Sequence, residues 1–361
     1  MGRKSSALAH LGMTDAAFWS DNRVLVTGHT GFKGSWLSLW LNDMGAEVFG
    51  LALAPDTEPA LFDQLGLRNR IDHAEVDLRD AEGVTARIHA VAPDVVFHLA
   101  AQPLVRRSYA QPVETWATNV QGTVHVLDAI RTAGRPCTVV VSTTDKVYQN
   151  REWTYGYRES DRLGGHDPYS ASKAATELVI ASYRDAFFAE GDVKLASARA
   201  GNVIGGGDWA EDRIIPDLVR SLRDGRAVEV RNPGATRPWQ HVLEPLSGYL
   251  AYAERLHTGT APPSLNFGPD PNANRPVGDL LDVALRHWPG GWRVVSGGAQ
   301  VHEAGRLALS TELARDALGW SPRWGFEESV KHTIDWYRAV TGGADALTIT
   351  RAQIQAFGGG T

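Results

Sequence analysis

Apolar positions come in short unbroken runs that alternate with helical spacings through the first half of the chain. Residues 23–26 (RVLV) read as a strand, 28–34 as a glycine-rich turn, and 35–44 (SWLSLWLNDM) as a helix that stops at Gly45. Residues 47–53 (EVFGLAL) read as a second strand; 94–99 (DVVFHL), 138–142 (TVVVS) and 194–198 are further strands. Residues 113–132 carry a helical period and stop at Gly134. Runs of Val with no polar alternation belong to strands covered on both faces. Strand–helix alternation of this kind predicts an α/β fold, a doubly wound parallel sheet between two helical layers. The alternation breaks down after about residue 204, where Gly, Pro and Trp become frequent and strands such as 227–231 are short. The predicted organisation is a tail at 1–20, a sheet domain at 21–204 with 232–268 partly returning to it, a smaller α/β region in the rest of 205–340, and a tail at 341–361.

Composition narrows the classes. A net charge of -6 gives no footprint for nucleic acid. No apolar run reaches the ~18 residues of a membrane span, and the N-terminus lacks the apolar stretch of a signal peptide. The single Cys137 excludes an intramolecular disulfide and points to the cytoplasm. His, Asp and Cys spacings suggest no metal site.

Gly28-His29-Thr30-Gly31-Phe32-Lys33-Gly34 places three glycines between a strand and a helix. Such a turn allows close backbone approach to a diphosphate, and the helix start presents N–H groups to it. A plain tight turn is the alternative; a P-loop is excluded because Lys33 precedes Gly34 rather than following it. Three later features support a dinucleotide. Asp77-Leu78 follows an extended segment where an adenine edge could bind. Leu99-Ala100-Ala101-Gln102 puts small side chains at a strand end. Asp56, after the second strand, could hold ribose hydroxyls. No Arg or Lys lies between Lys33 and Arg68, so NAD is expected rather than NADP.

Tyr169 and Lys173 are four apart, and on a helix they share one face. A nearby ammonium is expected to lower the phenol from its ordinary value of about 10. The phenolate could then take a proton from a sugar hydroxyl. Ser142-Thr143-Thr144 ends a strand and offers a hydroxyl to the same group. Arg237, in a Pro-flanked loop with Trp239 and His241, could clamp a diphosphate.

Taken together, the glycine turn, LAAQ, the hydroxyl-bearing strand end and Tyr-x-x-x-Lys resemble the extended short-chain dehydrogenase/reductase family over roughly residues 21–340. Longer strings narrow the resemblance to its nucleotide-sugar dehydratases: GHTGFKGSWLSLWL, STTDKVYQN, LGGHDPYSASKAATE, RAGNVIGGGDW and RPWQHV. The resemblance implies a Rossmann-like NAD-binding domain, a substrate-binding domain built mostly from 205–340, and CDP-glucose as the nucleotide hexose. It implies oxidation at C4, loss of water across C5 and C6, and hydride return to C6. Tyr169 would be the base, Thr144 its hydrogen-bond partner, and Lys173 a ribose contact. Asp145 would be the acid at the C6 hydroxyl, with Lys146 as the C5 base or enolate stabiliser, where dehydratases of the dTDP type carry Asp-Glu. It also places Asn119, Ser142 and Val203 at the cofactor, Asn202, Trp239 and Arg306 at the substrate, and a homodimer through two helices per subunit, one of them 169–188. The alternatives are a nucleotide-sugar 4-epimerase, which needs no acid/base pair, a dehydratase for another nucleotide, and a non-catalytic NAD-binding protein.

Overall fold

The computed structural model describes residues 15–259, 261–295 and 306–358. Seven parallel strands form the central sheet: β1 (Arg23–Thr27), β2 (Glu47–Ala52), β3 (Asp72–Glu75), β4 (Val95–His98), β5 (Cys137–Ser142), β6 (Val193–Ala200) and β7 (Ser264–Phe267). Their spatial order is β3-β2-β1-β4-β5-β6-β7. The strand order reverses between β1 and β4, which leaves a crevice beyond the carboxyl ends of those strands.

Side-chain alternation divides the apolar runs between two cores. Val24 and Val26 pack with Trp36, Leu39, Leu246 and Trp336 on one face. Leu25, Val139 and Val141 pack with Val84, Ile88 and Val126 on the other. Helices Ala81–Val91 and Gly122–Ala133 cover this second face and touch each other. Cys137 is buried there, and burial pushes its thiol up to about 12.

Boundaries follow local chemistry. Helix Phe32–Asp43 starts inside the glycine turn, three residues before the apolar period predicts. Helix Pro168–Phe187 has Pro at its first position and Asp167 as its cap, the carboxylate accepting from the Ser170 amide at 2.9 Å. The stretch expected as one helix at 113–132 is Pro112–Trp116, a π turn at Ala117–Gln121, and Gly122–Ala133. That bulge displaces Asn119 from the helical face toward the sheet end. β7 is the part of the 232–268 segment that rejoins the sheet. Among the described residues, the remaining strands of the C-terminal half form three two-stranded pieces outside it.

Both segments expected as tails differ in their described parts. Ala16–Ser20 is a helical turn whose Trp19 is 0% exposed and donates its indole N–H to Glu254 at 2.6 Å. Ala346–Gly358 is a helix that buries Ile354 and Phe357, and Thr350 accepts from the Trp336 indole at 2.9 Å. Neither segment shows a sheet-period run, but each supplies large apolar groups to the first core. Trp19→Ala is expected to cost about 3–5 kcal/mol, read as a lower denaturant midpoint; an unchanged midpoint would remove Trp19 from the core account.

Candidate active site

The crevice is built from the ends of β1, β4 and β5, the start of helix Phe32–Asp43 and helix Pro168–Phe187. At β1, Gly28 has φ +75, and a Cβ there would lie 2.7 Å from the Ala100 backbone nitrogen. At Gly34 a Cβ would lie 2.0 Å from the Gly28 carbonyl oxygen. These two glycines let the turn close against β4 and the helix start. Gly31 is exposed and caps helix Phe32–Asp43 without a side-chain acceptor. The first amides of that helix therefore face the crevice mouth unclaimed by a cap, as a dinucleotide diphosphate requires. Thr30 ties the turn to β2 by donating to the Leu53 carbonyl at 2.9 Å. Half-buried Ala100 and Ala101 leave room for a flat ring beyond β4.

Gln102 and Asn119 brace this floor. Asn119 Oδ1 accepts from the Gln102 amide at 2.8 Å, and its Nδ2 donates to the Gln102 carbonyl and to Ser172 Oγ. This fastens the LAAQ segment to the Tyr169 helix, so Asn119 positions the floor with its side chain already engaged.

At the end of β5, Ser142, Thr144, Asp145, Tyr169 and Lys173 are all buried within one cluster. Lys173 Nζ donates to the Ser142 carbonyl at 2.9 Å. Thr144 Oγ1 donates to Asp145 Oδ1 at 3.0 Å, and its hydroxyl is near enough to the Tyr169 phenol to favour the charged form. Ser142 Oγ lies 3.2 Å from the Tyr249 hydroxyl, and Lys33 Nζ sits 6.0 Å from the Tyr249 ring centroid. Lys33, from the glycine turn, thus lies within electrostatic range of Asp145 and of Lys173 on the Tyr-x-x-x-Lys helix.

Burial governs the charges. It pushes the Lys173 ammonium down to about 8, and Lys33 down to about 8 with help from Arg213. It raises the Asp145 carboxyl against the opposing pull of Lys146 and the Thr144 hydrogen bond. The expected lowering of Tyr169 is corrected: the phenol is pushed up to about 12, because burial outweighs the pull of the Thr144 hydroxyl. Lys173 spends a proton on the Ser142 carbonyl instead of facing the phenol alone.

Other expected site residues are placed less directly. Asp56 is exposed, and its carboxylate faces Arg107 at 3.6 Å. The Asp77 carboxylate is taken by Arg79 at 2.6 Å, which holds it below its ordinary range. Leu78 is buried against Gly122. Asn202 and Val203 are half-buried after β6, with Val203 paired to Gln240. Arg237 is half-buried and within electrostatic range of Asp145. Trp239 is 3% exposed, with its indole N–H donated to the Arg275 carbonyl at 2.9 Å. Arg306 is exposed and donates to the Thr154 carbonyl at 3.1 Å. His241, given no chemistry, is a packed ring between Trp36 and Trp324.

Two residues escape sequence reading. Arg213 pairs with Asp208 at 2.7 Å and extends its field to Tyr169. Tyr249 comes from the middle of helix Leu243–His257. No motif marks either one. Among the described residues no group of three His, Cys, Asp or Glu gathers to hold a metal, and no helix is long and apolar enough to cross a membrane.

The chain is similar to known proteins over most of its length. It is 48% identical over 354 residues to CDP-glucose 4,6-dehydratase of Salmonella typhimurium, covering 96% of this chain and 98% of that one. It is 35% identical over 250 residues to dTDP-glucose 4,6-dehydratase of Streptomyces antibioticus, covering 68% and 70%. The structure of UDP-glucose 4-epimerase from Thermus thermophilus in complex with NAD superposes with a TM-score of 0.74 at 26% identity, covering 87% and 98%. The family profile that describes NAD dependent epimerases and dehydratases matches residues 24–268, the span holding the glycine turn, the β5 end and the Tyr169 helix. By that match and by its close relative, this chain belongs to the NAD dependent epimerase/dehydratase family.

Proposed function

We propose that the chain is a CDP-glucose 4,6-dehydratase, converting CDP-D-glucose to CDP-4-keto-6-deoxy-D-glucose and water. The observation that carries this reading is the junction of two chemistries at the end of β5. Thr144, Tyr169 and Lys173 form a set for oxidising a hydroxyl. The two residues after Thr144, Asp145 and Lys146, add an acid and a cation that a plain epimerase has no use for.

NAD, which the Gly28–Gly34 turn would hold, would supply a hydride acceptor for the first step and a hydride donor for the last. Tyr169 takes the proton of the C4 hydroxyl, with Thr144 fixing that hydroxyl by a hydrogen bond. Lys173 would hold the nicotinamide ribose. The resulting ketone acidifies C5. Asp145, in its acid form, delivers a proton to the C6 hydroxyl, which leaves as water. Lys146 serves the C5 side, as base or as the cation beside the enolate. Arg237, Asn202 and Arg306 are assigned to the diphosphate, Arg213 to the sugar side of Tyr169. The sheet domain at 21–204 holds the cofactor, and most of 205–340 holds the substrate.

A homodimer belongs to the same reading. Val113 and Trp116 on helix Pro112–Trp116 are exposed, as is Leu178 on the Tyr169 helix, an apolar face across touching helices. A cytoplasmic location fits the lone unpaired thiol.

Incubation with CDP-, dTDP-, UDP- and GDP-glucose tests the proposal. The expected result is loss of one water from CDP-glucose, with a C4 deuterium recovered at C6. An isomer of unchanged mass overturns it.

A further inference from the structure

We infer that Tyr148 and Asn266 are positioning residues that hold the Asp145–Lys146 turn for the elimination step while leaving the oxidation step to Thr144, Tyr169 and Lys173. This rests on the dehydratase reading above. The turn Asp145–Val147 is a single 3-10 turn whose own bonds are long: Val147 N–H to the Thr144 carbonyl is 3.3 Å, and Tyr148 N–H to the Asp145 carbonyl is 3.5 Å. Bonds of that length hold geometry weakly. The next residue is fastened far better. Tyr148 is 1% exposed; its hydroxyl donates to Asn266 Oδ1 at 2.7 Å and accepts from Arg199 Nη1 at 2.8 Å. Its ring stacks on Tyr157 at 5.2 Å and 13°, and Tyr157 stacks on Trp153 at 5.6 Å and 14°.

Asn266 gathers the other ends of this arrangement. It is 0% exposed, on β7 opposite Arg199 of β6. Its Nδ2 donates to the Tyr157 carbonyl at 2.9 Å and the Ser310 carbonyl at 3.1 Å, and its amide donates to Glu159 at 2.8 Å. One side chain therefore joins the turn carrying Asp145 and Lys146 to the loop after it and to the segment following Arg306. Burial raises the Tyr148 phenol well above its ordinary value, so it stays a donor to Asn266. Thr144 caps the turn from the end of β5 and Tyr169 sits on a capped helix, and the bonds made by the Tyr148 hydroxyl and by Asn266 reach neither of them. Loosening it should move Asp145 and Lys146 relative to C5 and C6 and leave the C4 chemistry in place.

Tyr148→Phe keeps the ring stack and removes the hydroxyl; Asn266→Ala removes the knot itself. Each is mixed with CDP-glucose in single-turnover reactions, quenched with borodeuteride, and analysed by mass. The expected result is C4 oxidation within about twofold of the parent chain and water loss slowed about tenfold, the scale of one buried hydrogen bond. The trapped 4-keto-glucose nucleotide, still carrying its C6 hydroxyl, should accumulate in both variants, with KM for CDP-glucose unchanged. Equal slowing of both steps, or no change in either variant, overturns the inference. Failure of the parent chain to lose water would instead remove the dehydratase reading beneath it.

Discussion

Tyr169→Phe is expected to lower turnover about a thousandfold while the chain still binds NAD. The phenol hydroxyl is the only group lost, and the ring keeps its buried place beside Thr144. General-base contributions of roughly 10²–10⁴ set the scale. The cofactor contacts assigned to the glycine turn, Gly28 to Gly34, lie on a different segment, so affinity for NAD should change little. Turnover with CDP-glucose and a fluorescence titration with NAD check the two halves separately. A variant within about tenfold of the parent rate would transfer the base role elsewhere. Loss of both activity and NAD binding would mean that the hydroxyl supports the site's structure rather than its chemistry.

Arg199→Met should be the most destabilising single change at the sheet end, at about 3–5 kcal/mol. Arg199 and Glu177 are 5% and 4% exposed and pair at 2.8 Å. Glu177 also accepts from Thr143 at 2.5 Å and Ser197 at 2.8 Å, and Arg199 Nε donates to it at 3.0 Å. Removing the guanidinium leaves a carboxylate in a dry site with two neutral donors. The cost comes from stranding a charge, not from the net worth of the pair. The double variant Arg199→Met, Glu177→Gln should therefore recover a large part of the loss. Denaturant unfolding of the three chains measures this; a double variant less stable than Arg199→Met alone would refute it.

The middle of the parallel sheet is readable in the sequence because β1, β4 and β5 are buried on both sides and carry Val-rich runs, whereas the edge strands Asp72–Glu75 and Ser264–Phe267 carry no Val and go unread as strands. The glycine turn is readable because its steric demands are local: only a residue without Cβ fits beside Ala100 and the Gly28 carbonyl. The Tyr169–Lys173 pair is readable because one helical turn fixes both directions. What escapes depends on contacts distant in sequence. The bulge at Asn119 brings it to Gln102 and Ser172, and no periodicity records that. Trp239 gives its N–H to the Arg275 carbonyl, far along the chain, and no local pattern records that either. Asp56 and Asp77 follow strands where ribose and adenine contacts are plausible, yet Arg107 and Arg79 face them. The phenol's charge is misjudged because a sequence names the nearby ammonium and conceals how little water reaches either group. The helices Ala16–Ser20 and Ala346–Gly358 are fixed by packing of Trp19, Ile354 and Phe357 against distant elements, which no local pattern records, so both segments read as tails.

The buried thiol at the start of β5 makes the chain nearly silent toward alkylating and maleimide reagents at neutral pH, since Cys137 is the lone cysteine and holds its proton to about 12. A reporter cysteine introduced at exposed Tyr155, on the loop between the Asp145–Lys146 turn and the Tyr169 helix, would be labelled against a blank background. Fluorophore signals could then follow substrate arrival in the otherwise native enzyme, with no need to engineer the parent thiol away.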